Sequence, residues 1–218
     1  MNANLLAVTV LMLGLVSGTI QANVINLDSQ PGLSNTKTSA TVAITPNSAW
    51  QANHPVNPGN AADHSAVWIS YALTGYGDPH FQPYMGTTPV VSIFDNFVSG
   101  AGVLHLNVWA DDTAQVFLDG ISLINPKFTQ STCSGQPIGC VPADVGVLSH
   151  ALTAGSHTLE FAVYQTGTGT STTTNPFGLL FTGTATAPDP VPEPGTLLLA
   201  GAVLVAAGLI RKRRQPRA

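Results

Sequence analysis

Hydrophobic and polar residues alternate along short stretches in the middle of the chain. In residues 102–110 this alternation places Leu104, Leu106 and Val108 on one side of an extended strand and Trp109 on the other. A period of two residues is typical of a β-strand that buries one face. We therefore predict a strand over this segment, with its leucines and valine facing a core.

Five other segments have the length and apolar content of strands: residues 66–73, 90–98, 114–124, 157–165 and 177–187. Asp119-Gly120 divides one of them, and an Asp-Gly pair favours the type I′ turn of a β-hairpin. In another, alternation places Leu159, Phe161 and Val163 inward. No window of helical length has a convincing 3.6-residue period. The pattern predicts an all-β domain, an antiparallel β-sandwich or jelly roll.

The first 22 residues have the pattern of a signal peptide. An apolar run over residues 5–16 precedes Ala22, a plausible cleavage residue, although no Lys or Arg stands before the run. The alternatives are a buried N-terminal strand and an uncleaved membrane anchor. We therefore expect export, with residues 1–22 as the signal peptide and residues 23–187 as the β-sandwich domain.

The C-terminal end has the pattern of a membrane anchor. Residues 196–210 form an uncharged apolar run, which predicts a single transmembrane helix, the alternative being a helix in a soluble core. Prolines alternate with other residues in the spacer 188–195, which must therefore be extended. The basic tail 211–218 begins with Arg211, Lys212, Arg213 and Arg214, a topology signal that places this end in the cytoplasm and the body outside.

The order of these C-terminal parts resembles a known sorting signal. Pro192, Glu193 and Pro194 precede the apolar run and the arginines, as in the PEP-CTERM signal of Gram-negative bacteria. The resemblance implies passage through the secretion machinery to the inner membrane. It also implies removal of the tail by an exosortase, a membrane cysteine transpeptidase, and delivery to the cell surface or the extracellular polysaccharide matrix.

The body is similar to galactose-binding-like β-sandwich modules. The matching segments are residues 68–70, 109–120, 152–167 and 175–187, about half of the body. The resemblance implies the sandwich fold, but its motifs do not indicate a particular ligand.

The body carries few positive charges. Residues 23–187 contain two lysines, no arginine and nine acidic residues, a net charge of about −7. Such a surface cannot neutralise a phosphate backbone. Nucleic acid is therefore excluded as a partner.

The two cysteines lie close together in the exported body. Cys133 and Cys140 are predicted to form a disulfide, because thiols oxidise outside the cytoplasm. An eight-residue ring of this kind stabilises a fold by about 2.5 kcal/mol on the loop-closure model. Metal binding by two cysteines is the alternative.

Aromatic and acidic residues meet at the end of the strand 102–110. Trp109, Asp111 and Asp112 are candidates for glycan binding, because sugar rings stack on aromatic faces and carboxylates accept hydroxyl hydrogen bonds. Trp109 is expected to be the most exposed tryptophan, because it lies opposite Leu104 and its neighbours. The alternative for each tryptophan, including Trp50 and Trp68, is packing at the core or its edge.

Calcium is a weaker candidate ligand. Asp111, Asp112 and Asp119 could supply oxygen ligands, although their spacing differs from the EF-hand loop. The alternative is that these side chains bond turn backbone. No other cofactor is expected. The six histidines do not have the spacing of a zinc protease, and we expect them to lie in loops or at the surface. The alternative is a zinc site formed by histidines from distant parts of the chain.

The sequence lacks the usual signatures of an enzyme. Its body has one glutamate, Glu160, and no nucleophile elbow or phosphate-binding loop. We expect a non-catalytic structural protein of the cell surface or matrix. The alternative is a carbohydrate-binding module acting on matrix polysaccharide, and a glycan hydrolase is the third choice.

Overall fold

The computed structural model describes residues 24–56, 65–78, 85–129, 133, 135–166 and 175–186. The described residues contain strands and one short 3-10 helix, Pro142–Asp144. The strands are β1 (Val24–Asp28), β2 (Ser34–Asn35), β3 (Val42–Ala43), β4 (Ile69–Ser70), β5 (Val91–Ser99), β6 (Gly102–Asp111), β7 (Thr113–Leu118), β8 (Ile121–Ile124), β9 (Gly146–Leu152), β10 (Gly155–Tyr164) and β11 (Gly178–Thr186).

The strands form two antiparallel sheets. The six-stranded sheet has the order β3-β4-β11-β6-β9, with β1 also paired to β11. The five-stranded sheet has the order β2-β5-β10-β7-β8. The predicted all-β antiparallel sandwich is confirmed.

The main core lies between the two sheets. From the six-stranded sheet, Leu104, Leu106 and Val108 are fully buried, and Phe161 of β10 is buried opposite them in the five-stranded sheet. The Phe161 ring stacks on Phe181 of β11, with 4.3 Å between ring centroids. The inward faces that the alternation predicted are confirmed, and this stacked pair joins the two sheets.

The predicted hairpin is present as β7 and β8. Asp119 and Gly120 have φ angles of 51° and 79°, in the left-handed region that a type I′ turn requires. A short polar residue followed by glycine adopts this backbone at low cost, which is why the local sequence sufficed to locate the turn.

The strand predicted over residues 66–73 is much shorter than expected. Only Ile69–Ser70 belongs to β4, and Ile69 is paired with Leu179 of β11. The reason is competition for one edge, because β1 already occupies β11 from Thr182 to Thr186. A single-sequence pattern does not reveal that two strands share one neighbour.

The two predicted targeting segments lie outside the described residues. The signal peptide 1–22, the spacer 188–195, the helix 196–210 and the tail 211–218 all belong to this part of the chain. Among the residues that the structure describes, no helix is long and apolar enough to cross a membrane.

Candidate functional site

A second apolar cluster covers one end of the outer face of the six-stranded sheet. Trp50 and Trp68 pack with 4.3 Å between ring centroids, and Trp109 and Leu180 join them from the sheet. Trp109 is 4% exposed, so the expectation that it is the exposed tryptophan is wrong. It does face away from the main core, but chain segments outside the sheet cover it.

The Cys133–Cys140 disulfide holds one of these covering segments. The disulfide is formed, and Cys140 is fully buried within the tryptophan cluster. The Ala110 N–H donates to the Gly139 carbonyl at 3.0 Å, and the Gln51 N–H donates to the Cys140 carbonyl at 2.7 Å. The ring that the disulfide closes is therefore bonded both to β6 and to the loop that carries Trp50.

The two neighbouring aspartates at the end of β6 are buried as well. Asp111 is 6% exposed and Asp112 3% exposed, and the Thr166 N–H donates to Asp112 Oδ2 at 2.8 Å. Burial, followed by the charge of Asp112 and a hydrogen bond with it, raises the pKa of the Asp111 carboxyl well above its ordinary value. Both carboxyls therefore belong to the interior, and the surface arrangement expected for a glycan site at Trp109, Asp111 and Asp112 is contradicted.

The third calcium candidate is remote from the other two. Asp119 follows β7, whereas Asp112 precedes it, and six residues of extended strand span about 20 Å. One calcium ion cannot bind both carboxylates at that distance, so the expected set of Asp111, Asp112 and Asp119 is wrong as a single site. Within the described ranges, no group of three His, Cys, Asp or Glu residues is placed to hold a metal ion.

Asp119 instead forms an ion pair with His157. Their Oδ2 and Nδ1 atoms are 2.7 Å apart, with the histidine side chain 6% exposed and the aspartate 45% exposed. His157 Nε2 lies 2.9 Å from the Thr153 carbonyl, and the Thr158 N–H donates to Asp119 Oδ1 at 2.8 Å. Both ring nitrogens thus face acceptors, which favours the doubly protonated imidazolium.

The same contacts explain the direction in which each pKa is shifted. The hydrogen bond that His157 donates to Asp119, and then the one it donates to the Thr153 carbonyl, raise the pKa of His157 above 6.5 despite burial. For Asp119, burial acts to raise the pKa, but hydrogen bonds with His157 and Thr158 outweigh it and lower the pKa below its ordinary value. No local pattern indicates this pair, because its members are 38 residues apart.

The pair predicts a loss of stability at alkaline pH. Because the folded-state pKa of His157 is raised, its contribution is complete below 6.5 and disappears as the pH rises through the folded-state value. We expect the Asp119–His157 coupling, below about 1 kcal/mol for so exposed an aspartate, to be larger near pH 6 than near pH 8.5. Urea unfolding of the wild type, Asp119→Asn, His157→Asn and the double variant at both pH values measures it.

Asp95 also titrates near this pH range, but it does not affect the measured coupling. Burial, and then the charge of Asp28, raises the pKa of Asp95 to about 6. Asp95 is present in all four proteins of the cycle, so its effect cancels from the coupling energy. A coupling that is unchanged between the two pH values would show that His157 is not the titrating partner.

A groove of about 320 Å³ lies on the outer face of the six-stranded sheet. It is lined by residues of β1, β6 and β11, among them Val24, Val103, His105 and Thr184. His105 and Thr184 are direct cross-strand partners, so their side chains share one face. The groove offers imidazole and hydroxyl groups between valines. The alternation in residues 102–110 puts His105 on the same side of the strand as Trp109, but it does not show that three strands meet there.

Comparison with solved structures finds proteins of low sequence identity and low structural similarity. A family 35 carbohydrate-binding module from Clostridium thermocellum has 7% identity, covers 75% of this chain and 99% of its own, and has a TM-score of 0.37. The corresponding module from Paenibacillus barcinonensis has 14% identity, coverages of 74% and 99%, and a TM-score of 0.34. A GH26-CBM35 β-(1,4)-mannanase from Podospora anserina has 14% identity, coverages of 79% and 29%, and a TM-score of 0.35.

These similarities do not identify a ligand or an activity. Binding modules and an enzyme both occur among the neighbours, and the identities and TM-scores are too low to transfer a site. No curated protein sequence matches the chain.

The C-terminal segment matches a family model. Residues 190–214 match the PEP-CTERM protein-sorting motif, which contains Pro192, Glu193 and Pro194, the apolar run and the basic residues that follow. The motif implies export with a membrane-anchored precursor. This chain is therefore an antiparallel β-sandwich protein that carries a PEP-CTERM sorting signal at its C-terminal end.

Proposed function

We propose that this protein is a non-catalytic structural component of the cell surface or extracellular polysaccharide matrix. The observation that carries the proposal is the sorting motif at residues 190–214. An exosortase removes the tail at the outer side of the inner membrane, and the β-sandwich body is released to its final location.

Two properties of the body support this role. The Cys133–Cys140 disulfide suits a compartment outside the cytoplasm, where thiols oxidise. Asp111, whose pKa is raised well above its ordinary value, is buried against Asp112 and does not line the groove. The disulfide stabilises the sandwich, as expected for a structural component.

Removing the positive charges of the tail is expected to prevent processing. With Arg211, Lys212, Arg213 and Arg214 all changed to Ser, no cluster of cations holds the C-terminal end in the cytoplasm, so the precursor is misoriented or stays uncut. Intact-mass analysis of protein from the cell surface, medium and membrane measures the outcome. The wild type should be recovered without the tail, and the variant as a membrane-bound precursor.

The matched control keeps the charge and changes the residue. Arg211→Lys, Arg213→Lys and Arg214→Lys together should leave orientation normal, because lysine and arginine act alike in the positive-inside rule. Normal mass and location in the four-serine variant would contradict the sorting mechanism.

Carbohydrate binding is the second candidate, and the groove favours it. The His105 imidazole would bind the hydroxyls of a polysaccharide there, although no Phe, Tyr or Trp among the described residues lines the groove. The processed protein from the same experiment can be run in native gels that contain neutral or acidic polysaccharides. Retardation that His105→Ala abolishes would favour this candidate. Unchanged migration in every gel would favour the structural role.

A further inference from the structure

Strand β9 forms an edge of the six-stranded sheet. It is paired with β6 along its length, from Gly146 opposite Val108 to Leu152 opposite Gly102. Among the described residues, no hydrogen bond joins its other side to any backbone or side chain. About half of the N–H and C=O groups of such a strand point away from its single neighbour, and here they are available for pairing.

This edge lacks the features that protect most edge strands. It has no Lys, Arg, Asp, Glu or Pro between Gly146 and Leu152, and Val147 is 69% exposed. It is also long, with seven residues, whereas the described edge strands β1, β2, β3 and β8 have five, two, two and four. A long, uncharged and partly apolar edge is a template for another strand.

We propose that β9 pairs in antiparallel orientation with β9 of a second copy of this chain, centred on Ser149. This register places Val147 opposite Ala151 of the second copy and Leu148 opposite His150. Val147, Ser149 and Ala151 share the exposed outer face, so the pairs across the interface are small or apolar, without like charges opposite each other. The two six-stranded sheets become one continuous sheet.

The strand itself argues for a second copy as the occupant. A two-fold axis through Ser149 pairs β9 with itself without placing like charges opposite each other, and it sets the exposed Val147 against the small Ala151. The chain's own segment after the body is unsuited, because residues 188–194 have a proline at every second position and proline donates no N–H.

Only one pair of strands forms the contact. An interface well below about 1,200 Å² is weak, so dimers should appear where the local concentration is high. The inference rests on the geometry of β9 and does not depend on the proposed function.

Cysteine crosslinking of the full chain in the producing cells tests the register. Directly opposed Cα atoms are about 4.5–5.5 Å apart, within the range that a disulfide spans. Ser149→Cys should therefore give a dimer of twice the mass on a non-reducing gel, which a reductant removes. With Val147→Cys or Ala151→Cys alone, equivalent residues lie about 13 Å apart, and dimer yield should be at least tenfold lower. Co-expression of these two variants should restore it.

A charge variant provides an independent test. Val147→Lys, added to Ser149→Cys, should lower dimer yield at least fivefold, because it places a charge on the uncharged edge. Val98→Lys is the matched control, since Val98 is 54% exposed but lies on β5 of the five-stranded sheet, away from β9. The proposal is overturned if Ser149→Cys gives no dimer, if the three single cysteines crosslink equally, or if both lysine variants act alike.

Discussion

Replacing Phe161 by alanine is expected to lower the free energy of unfolding by about 3–5 kcal/mol, the usual cost for a buried phenylalanine. Its ring is fully buried and stacks on Phe181 at 4.3 Å, with an interplanar angle of 19°. The free energy of unfolding falls for two reasons. The variant buries less apolar area, and it leaves a cavity between two sheets that cannot both move inward to fill it. Denaturant unfolding, followed by circular dichroism, measures the difference.

Phe128→Ala is the control for this prediction. Phe128 is 39% exposed and meets the edge of Tyr164, with 5.0 Å between ring centroids. Its loss should cost about 1 kcal/mol, since an exposed ring forfeits little more than one aromatic contact. Equal costs for the two variants would mean that Phe161 does not lie at the centre of the sandwich.

Reducing the Cys133–Cys140 disulfide is expected to lower the free energy of unfolding by about 2.5 kcal/mol. The cross-link restricts the unfolded chain over an eight-residue ring. In the folded protein, the ring covers one side of the tryptophan cluster. Reduction should therefore also shift tryptophan emission to longer wavelength, because water gains access to Trp109.

Comparing the reduced wild type with Cys140→Ala separates the effect of the cross-link on stability from the effect of packing the side chain. Cys140 is fully buried, so Cys140→Ala removes the cross-link and also leaves a small cavity. The variant should be less stable than the reduced wild type by about the cost of that cavity. Identical unfolding curves and emission spectra for the oxidised and reduced wild type would contradict the assigned role of the ring.

The sequence predicted which side of a strand each residue occupies, but it did not predict the burial of Trp109 or the groove at His105. Alternation correctly placed Trp109 on the face opposite Leu104, but it could not show that residues near Trp50 and Cys140 cover that face. The pattern reports the side of a strand, whereas exposure depends on segments that arrive from elsewhere in the chain. The same limit hid the groove at His105, because three strands distant in sequence form it.

The sequence by itself determined the features that depend on neighbouring residues. The hairpin at Asp119-Gly120, the inward faces of β6 and β10, and the sorting motif at residues 190–214 all follow from local backbone preference, period or order along the chain. Only the tertiary structure decided that Asp119 pairs with His157 and not with Asp112, and that β9 forms an edge. Strand order sets which residues meet, and it results from competition among strands for the same partners.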